Sequence, residues 1–232
     1  MCPLGDLLAT LDESGLADNT IVVFTSDHGE MLGSHGCLPY TKQVPWSESA
    51  HVPFLLRYPA VHAAQGRVVD TPLTTPDILP TLLGLAGVPI PGTVEGEDLS
   101  PLIRGEQPAG DRAALYMNVA PWGLRQPEFN REYRAIRTDR YTYVSGLDGP
   151  WLLYDDQSDP HQLHNVVGQP DYADLVAQLD RRLQEQLDRM GDPFRPAAYY
   201  VQHWGYELGA HGSVPYDTPD ARPQSPRRRP EP

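Results

Sequence analysis

Ile21-Val22-Val23-Phe24-Thr25-Ser26-Asp27-His28-Gly29-Glu30 decides the reading of this 232-residue chain. Four consecutive apolar residues suit a strand buried on both faces of a parallel sheet. The polar run then begins where the strand ends, and open α/β sheets bind ligands just outside the carboxyl ends of their strands. A carboxylate beside an imidazole at such a point can ligate a metal. A glycine directly after them lets the backbone turn away without a side-chain clash. The plain alternative is that Asp27 caps the next turn and His28 is a solvated loop residue.

Working outward, Leu4, Leu7, Leu8 and Leu11 recur at helical spacing, with Gly15 as a stop and Asp18-Asn19 as a turn. Downstream, Val52-Pro53-Phe54-Leu55-Leu56 is a second buried-type strand. The residues between the two strands include Gly29, Gly33, Gly36, Pro39 and Pro45, which makes a loop of a length that is usually functional or disordered. Thr75-Pro76-Asp77 starts a helix, with Thr75 as N-cap and Pro at the first helical position. Its buried stripe is expected from Ile78, Leu79, Leu82, Leu83 and Ala86; Pro80 should bend its first turn and Gly87 ends it. A loop is expected from Val88 to about Gly110. Short strands follow at Ala113–Val119, Tyr133–Thr138, Tyr141–Val144 and Trp151–Tyr154, with Asp139-Arg140 as a tight hairpin. A helix from about Asp171 to Met190 then shows Tyr172, Leu175, Val176, Leu179, Leu183 and Leu187 on one face. The fold class is therefore α/β: a partial parallel sheet with helices over residues 1–110, then a small antiparallel sheet packed on a helix over 111–190. Residues 191–232 form a Pro-rich tail, expected to be disordered from Arg222 to Pro232, with Arg227-Arg228-Arg229 solvated.

Lys+Arg 18 against Asp+Glu 31 sets the net charge at −13, which argues against nucleic acid or an anionic membrane as a partner. An anionic small substrate is still admissible, because a local cation inverts the field inside one pocket. There is no apolar run of about 18 residues to span a membrane. The sequence shows no secretory signal, and its two cysteines, Cys2 and Cys37, do not make a disulfide framework; a cytoplasmic location is the default expectation.

From Asp27-His28-Gly29-Glu30-Met31-Leu32-Gly33-Ser34-His35-Gly36 the chain runs to Lys42, Glu48 and Val52-Pro53-Phe54-Leu55-Leu56-Arg57-Tyr58-Pro59. This order resembles the sulfatase family of the alkaline phosphatase superfamily. His51 stands where that family commonly has arginine. The likeness continues through Thr75–Gly87, Gly96-Glu97-Asp98-Leu99-Ser100-Pro101-Leu102, Arg137-Thr138-Asp139-Arg140-Tyr141, and Leu153-Tyr154-Asp155 with Asp159-Pro160 and Asn165. The resemblance implies that Asp27 and His28 are ligands of one divalent metal, calcium or manganese, with magnesium as a third option. The His28 nitrogen suits manganese better than calcium, which prefers oxygen. It also implies that Lys42 contacts an ester oxygen and neutralises charge on the sulfuryl group as the leaving bond breaks. His35, in the same loop, can touch the leaving group or be a surface histidine. Glu30 and Glu48 read as acids that position the loop, and His161 and His164 as surface residues.

Sulfatases of this type use a formylglycine made from cysteine in a Cys-x-Pro/Ala-x-Arg motif. The chain has no such motif: Cys2-Pro3-Leu4-Gly5-Asp6 does not match, and Cys37-Leu38-Pro39-Tyr40-Thr41 has Thr where Arg is expected and reads as a small loop residue. The family's early aspartate pair is missing too. Two ligands hold a hard cation weakly, since it wants about six. The chain is therefore expected to need a missing N-terminal half or a complementing chain, and to show no turnover by itself. A sulfate-ester small molecule or saccharide is the expected substrate. A phosphonate monoester or phosphodiester hydrolase shares Asp-His-Gly and the lysine, and a non-catalytic remnant is the third possibility.

Overall fold

The leucines spaced three and four apart near the start form helix α1 (Pro3–Glu13), and Gly15 follows at φ 69. The computed structural model describes residues 3–62, 66–108, 110–121, 129, 131–209 and 214, and divides into a main body, Met1–Phe194, and a second unit from Arg195. No residue of α1 is buried, so its leucine stripe is only half covered.

The deciding stretch forms strand β1 (Val22–Thr25). Helix α2 (Ser47–Ala50), strand β2 (Phe54–Arg57) and the four-residue helix α3 (Pro59–His62) come next. The two strands pair with each other antiparallel, with Val23 opposite Leu56 and Phe24 opposite Leu55. This corrects the parallel, doubly buried arrangement expected within the α/β class. Parallel neighbours need a crossover element to carry the chain back over the sheet. The connection from Ser26 to Pro53 instead folds on itself, and α2 is its only α-helix. The faces are correspondingly open: Phe24 is 47% and Leu55 59% exposed.

Helix α4 (Thr75–Ala86) begins at Thr75, the residue expected to cap it, so its cap lies one residue earlier. Thr74 is the N-cap, and it closes a capping box with Asp77. The buried face is Asp77, Pro80, Thr81 and Leu85, not the aliphatic stripe. The reason lies in the following segment, which hydrogen-bonds along that face: Asp77 Oδ1 accepts from Glu97 N–H at 2.9 Å and Thr81 Oγ1 from Leu99 N–H at 3.0 Å. Arg112 also binds Asp77, Nη2 to Oδ2 at 2.7 Å. Burial raises the Asp77 pKa, but hydrogen bonds from Thr74, Glu97 and Arg112 outweigh it and hold the carboxyl below its ordinary value. Helix α5 (Ser100–Arg104) lies inside the region read as loop.

Strands β3 (Ala114–Asn118), β4 (Tyr133–Arg137), β5 (Tyr141–Gly146) and β6 (Gly149–Asp155) form an antiparallel meander in that order. Alternation along the strands sorts their side chains onto two faces. Ile136, Tyr143 and Leu153 pack on Leu179, Leu183 and Leu187 of helix α6 (Ala173–Met190). Each leucine buried there is worth about 1.5–3 kcal/mol. Gly191 ends α6 in the left-handed region. The opposite face, with Tyr133, Ala135, Val144, Leu152 and Tyr154, packs on Met31, Cys37, Val44 and Trp46. The loop after β1 is therefore the second cover of this sheet.

In the second unit, helix α7 (Ala197–His203) stacks Tyr199 on His203, with centroids 5.5 Å apart. The tail expected to be disordered, residues 222–232, lies outside the described residues.

Candidate functional site

Asp27 and His28 follow β1 directly. The His28 N–H donates to Asp27 Oδ1 at 2.9 Å, the leading reason that the Asp27 carboxyl is held below its ordinary pKa. His28 Nδ1 lies 2.7 Å from Gly29 O. A carbonyl only accepts, so Nδ1 carries a proton, and in the neutral ring Nε2 is the nitrogen with the lone pair. That Nε2 sits 3.5 Å from Asp27 Oδ2, on a carboxylate that is 84% exposed. A ring N–H tied to a backbone carbonyl is how proteins orient a metal-binding imidazole. The donors are thus one oxygen and one nitrogen, aimed together and open on one side. Among the described residues no group of three or more His, Cys, Asp and Glu gathers around a possible ion.

Gly29 is required by proximity. Its N–H donates to Ser49 O at 2.8 Å, and a β-carbon there would stand 2.9 Å from the Glu48 carbonyl carbon and closer still to its oxygen. Helix α2 is thus pressed against the Asp-His turn. Lys42 is joined to the same helix, because Ser49 Oγ donates to Lys42 O at 2.7 Å. The neighbouring Thr41 O accepts the Met31 N–H at 3.1 Å. Lys42 is the single lysine of the chain. Among the described residues its ammonium has no carboxylate within 4.0 Å, which leaves it available to an anion.

His35 has a φ of 55 and a side chain only 10% exposed. Its ring stacks on Trp46 at 4.9 Å, and Nε2 faces Glu48 Oε2 at 3.6 Å. Both atoms are buried without a hydrogen-bond partner. Glu30 Oε1 accepts the Met31 N–H at 3.0 Å. His51, where the family commonly has arginine, has its pKa lowered by desolvation and then by the charge of Arg137. Cys37 is buried among Met31, Val44 and Trp46, whereas His161 and His164 are exposed.

Residues of the C-terminal sheet and of the loop after β6 hold this loop, and sequence reading assigned none of them that role. Trp46 Nε1 donates to Tyr154 OH at 3.1 Å, and Tyr116 OH donates to Pro45 O at 2.9 Å. Asn118 Nδ2 donates to Gln43 O at 3.0 Å, beside Lys42. Arg137 Nη1 donates to Ser47 Oγ at 2.8 Å, and Gln162 Oε1 accepts the Ser47 N–H at 2.9 Å. These partners lie 71 to 115 residues apart, and no local pattern announces them.

Comparison with known proteins gives three kinds of likeness. The family described as N-sulphoglucosamine sulphohydrolase, C-terminal, matches residues 33–189. An ulvan-active sulfatase of Formosa agariphila is 46% identical over 214 residues, 92% of this chain and 42% of that protein. An endo-4-O-sulfatase of Bacteroides thetaiotaomicron is 38% identical over 82% of this chain and 39% of its own length. Among solved structures, a phosphonate monoester hydrolase of Agrobacterium radiobacter superposes with a TM-score of 0.65 at 30% identity, covering 90% of this chain and 41% of that one. The chain spans about two fifths of the length of each of these relatives.

Proposed function

This chain belongs to the sulfatase family of the alkaline phosphatase superfamily, and we propose that it supplies the late half of a sulfuric ester hydrolase site: two metal ligands and a sulfate-binding lysine. The observation that carries this is the His28 ring, whose Nδ1–H is committed to Gly29 O while Nε2 faces Asp27 Oδ2. These two donors would hold one divalent cation, manganese in preference to calcium or magnesium given the nitrogen. The chemistry such a cation would supply there is Lewis-acid polarisation of an ester oxygen. Lys42 binds the anionic sulfuryl group and neutralises charge as the bond to the leaving oxygen breaks. His35, in the same loop, stacks on Trp46 with Nε2 facing Glu48 Oε2, and we assign it to the leaving-group side.

Two ligands make an incomplete coordination shell. The site is completed by an N-terminal segment or a complementing chain that carries the nucleophile and the further carboxylates. The uncovered faces of β1 and β2, including Phe24 and Leu55, suit such a neighbour. The names of the similar sulfatases support a sulfated saccharide as substrate. Structural likeness to a phosphonate monoester hydrolase supports a second reading, phosphonate ester cleavage at the same residues.

The test is hydrolysis of an aryl sulfate, a sulfated saccharide and an aryl phosphonate with manganese or calcium, by the chain alone and with a supplied N-terminal half. Turnover of sulfate esters only in the completed protein, lost in Lys42→Gln, is the expected result. Robust hydrolysis by the isolated chain, or phosphonate turnover exceeding sulfate turnover, overturns it.

A further inference from the structure

We propose that Gln162 is a positioning residue: it caps helix α2 from the loop after β6 and thereby sets Asp27, His28 and Lys42 in one register. The functional sense of that register rests on the sulfatase reading above, but the mechanical claim does not.

Gln162 follows β6 in the loop that also carries Asp159 and Asn165. Its side chain is among the most enclosed in the body, the residue being 1% exposed, and its φ is 54. A residue with a β-carbon adopts the left-handed region at a cost, so its surroundings must hold it there. They do so through the side-chain amide. Nε2 donates to Asp156 Oδ1 at 2.7 Å and to Thr142 Oγ1 at 3.2 Å. This fixes the amide orientation and aims Oε1 outward from the sheet, where it accepts the Ser47 N–H at 2.9 Å.

Ser47 is the first residue of α2, and the first N–H groups of a helix have no partner within it. The N-cap residue, Trp46, offers no side-chain acceptor. Gln162 therefore does for α2 what a serine or aspartate cap does from the preceding residue, but from 115 residues away. Arg137 reinforces the same point, with Nη1 donating to Ser47 Oγ at 2.8 Å and Nη2 facing Asp156 Oδ2 at 3.6 Å. Two residues on, Ser49 holds both halves of the site: its carbonyl takes the Gly29 N–H, and its hydroxyl binds Lys42 O. A shift of α2 thus reaches the Asp-His turn and the lysine together. The rigid meander is the frame, and Gln162 is its contact with the chemistry.

Residue-resolved amide exchange on the full chain tests this without any assay of activity. Gln162→Met keeps the volume and removes the cap. Its expected signature is exchange roughly tenfold faster or more at Gly29 and His51, whose N–H groups bond to α2 carbonyls, with Ile136, Tyr143 and Val144 unchanged. Gln162→Glu alone sets a carboxylate against Asp156 and should loosen the same amides. Adding Asp156→Asn to it restores an amide–carboxylate pair and should return protection. Unchanged exchange at Gly29 in Gln162→Met, equal loss across β4 and β5, or failure of the paired swap to restore Gly29 would each overturn the proposal. Manganese titration of the protein completed with its N-terminal half separates the two readings: a completed protein that takes up no manganese, with Gly29 still freed in Gln162→Met, counts against the metal assignment alone.

Discussion

Replacing Gly29 with alanine probes the closest approach in the molecule between the candidate site and its support. The added β-carbon would lie 2.9 Å from the Glu48 carbonyl carbon and 3.2 Å from Ser49 O, with Glu48 O nearer still. Carbon atoms pack comfortably at about 3.5–4.0 Å. Both neighbours are backbone, so no side chain can swing aside and α2 itself must retreat by roughly an ångström. That breaks the 2.8 Å bond from Gly29 N–H to Ser49 O. Overpacking of this kind costs about 1–3 kcal/mol and the lost hydrogen bond about 1 more, so destabilisation of about 2–4 kcal/mol is expected. For a chain of this size that is a fall in Tm on the order of 10 °C. Thermal unfolding followed by circular dichroism measures it. Gly168→Ala is the control, because nothing lies within 4 Å of its added carbon, and it should stay within about 0.5 kcal/mol of wild type. Equal stability of the two variants would show that the glycine after Asp27-His28 is not selected by contact with α2.

Lys42→Gln should change stability by less than about 0.5 kcal/mol, as expected for a side chain without an ion pair, so its effect belongs to ligand binding. Because Lys42 is the single lysine, acylation followed by mass spectrometry reads it directly; saturating sulfate ester in the completed enzyme should protect it, and unchanged labelling would refute the contact. Asp77 has a lowered pKa in the folded chain, so the stability it contributes is fully present above the ordinary carboxylate pKa and is lost as pH falls through the folded value. Asp77→Asn should cost about 2–4 kcal/mol at neutral pH and flatten the fall in urea stability below about pH 4, and a slope like that of wild type would count against the assignment. Trp46→Phe strips the Tyr154 hydroxyl of its buried donor and should cost about 1–3 kcal/mol, read from unfolding by near-UV circular dichroism; a change under about 0.5 kcal/mol would leave that bond without energetic weight.

Local periodicity was enough to read α6, its leucine stripe and the meander of β3 to β6, because each is written in residues a few positions apart. The adjacency of Asp27, His28 and Gly29 was legible for the same reason. Consecutive apolar residues in β5 and β6, such as Tyr143-Val144 and Leu152-Leu153-Tyr154, fit burial on both faces, yet they name a cover for neither. Only the tertiary structure shows that Met31, Val44 and Trp46 close the second face, so that one loop is both part of the core and the carrier of Lys42. The same holds for α4, where Asp77 and Thr81 are buried in preference to Leu79 because the segment from Glu97 to Leu99 supplies their hydrogen bonds. It holds again for β1 and β2, whose apolar runs suit burial while the path between them decides antiparallel pairing. A hydrophobic pattern states how much surface a segment must hide and on which side. Which distant segment hides it, and which polar groups meet there, depends on packing geometry and on hydrogen bonds between residues a hundred positions apart, and these leave no periodic trace in the chain.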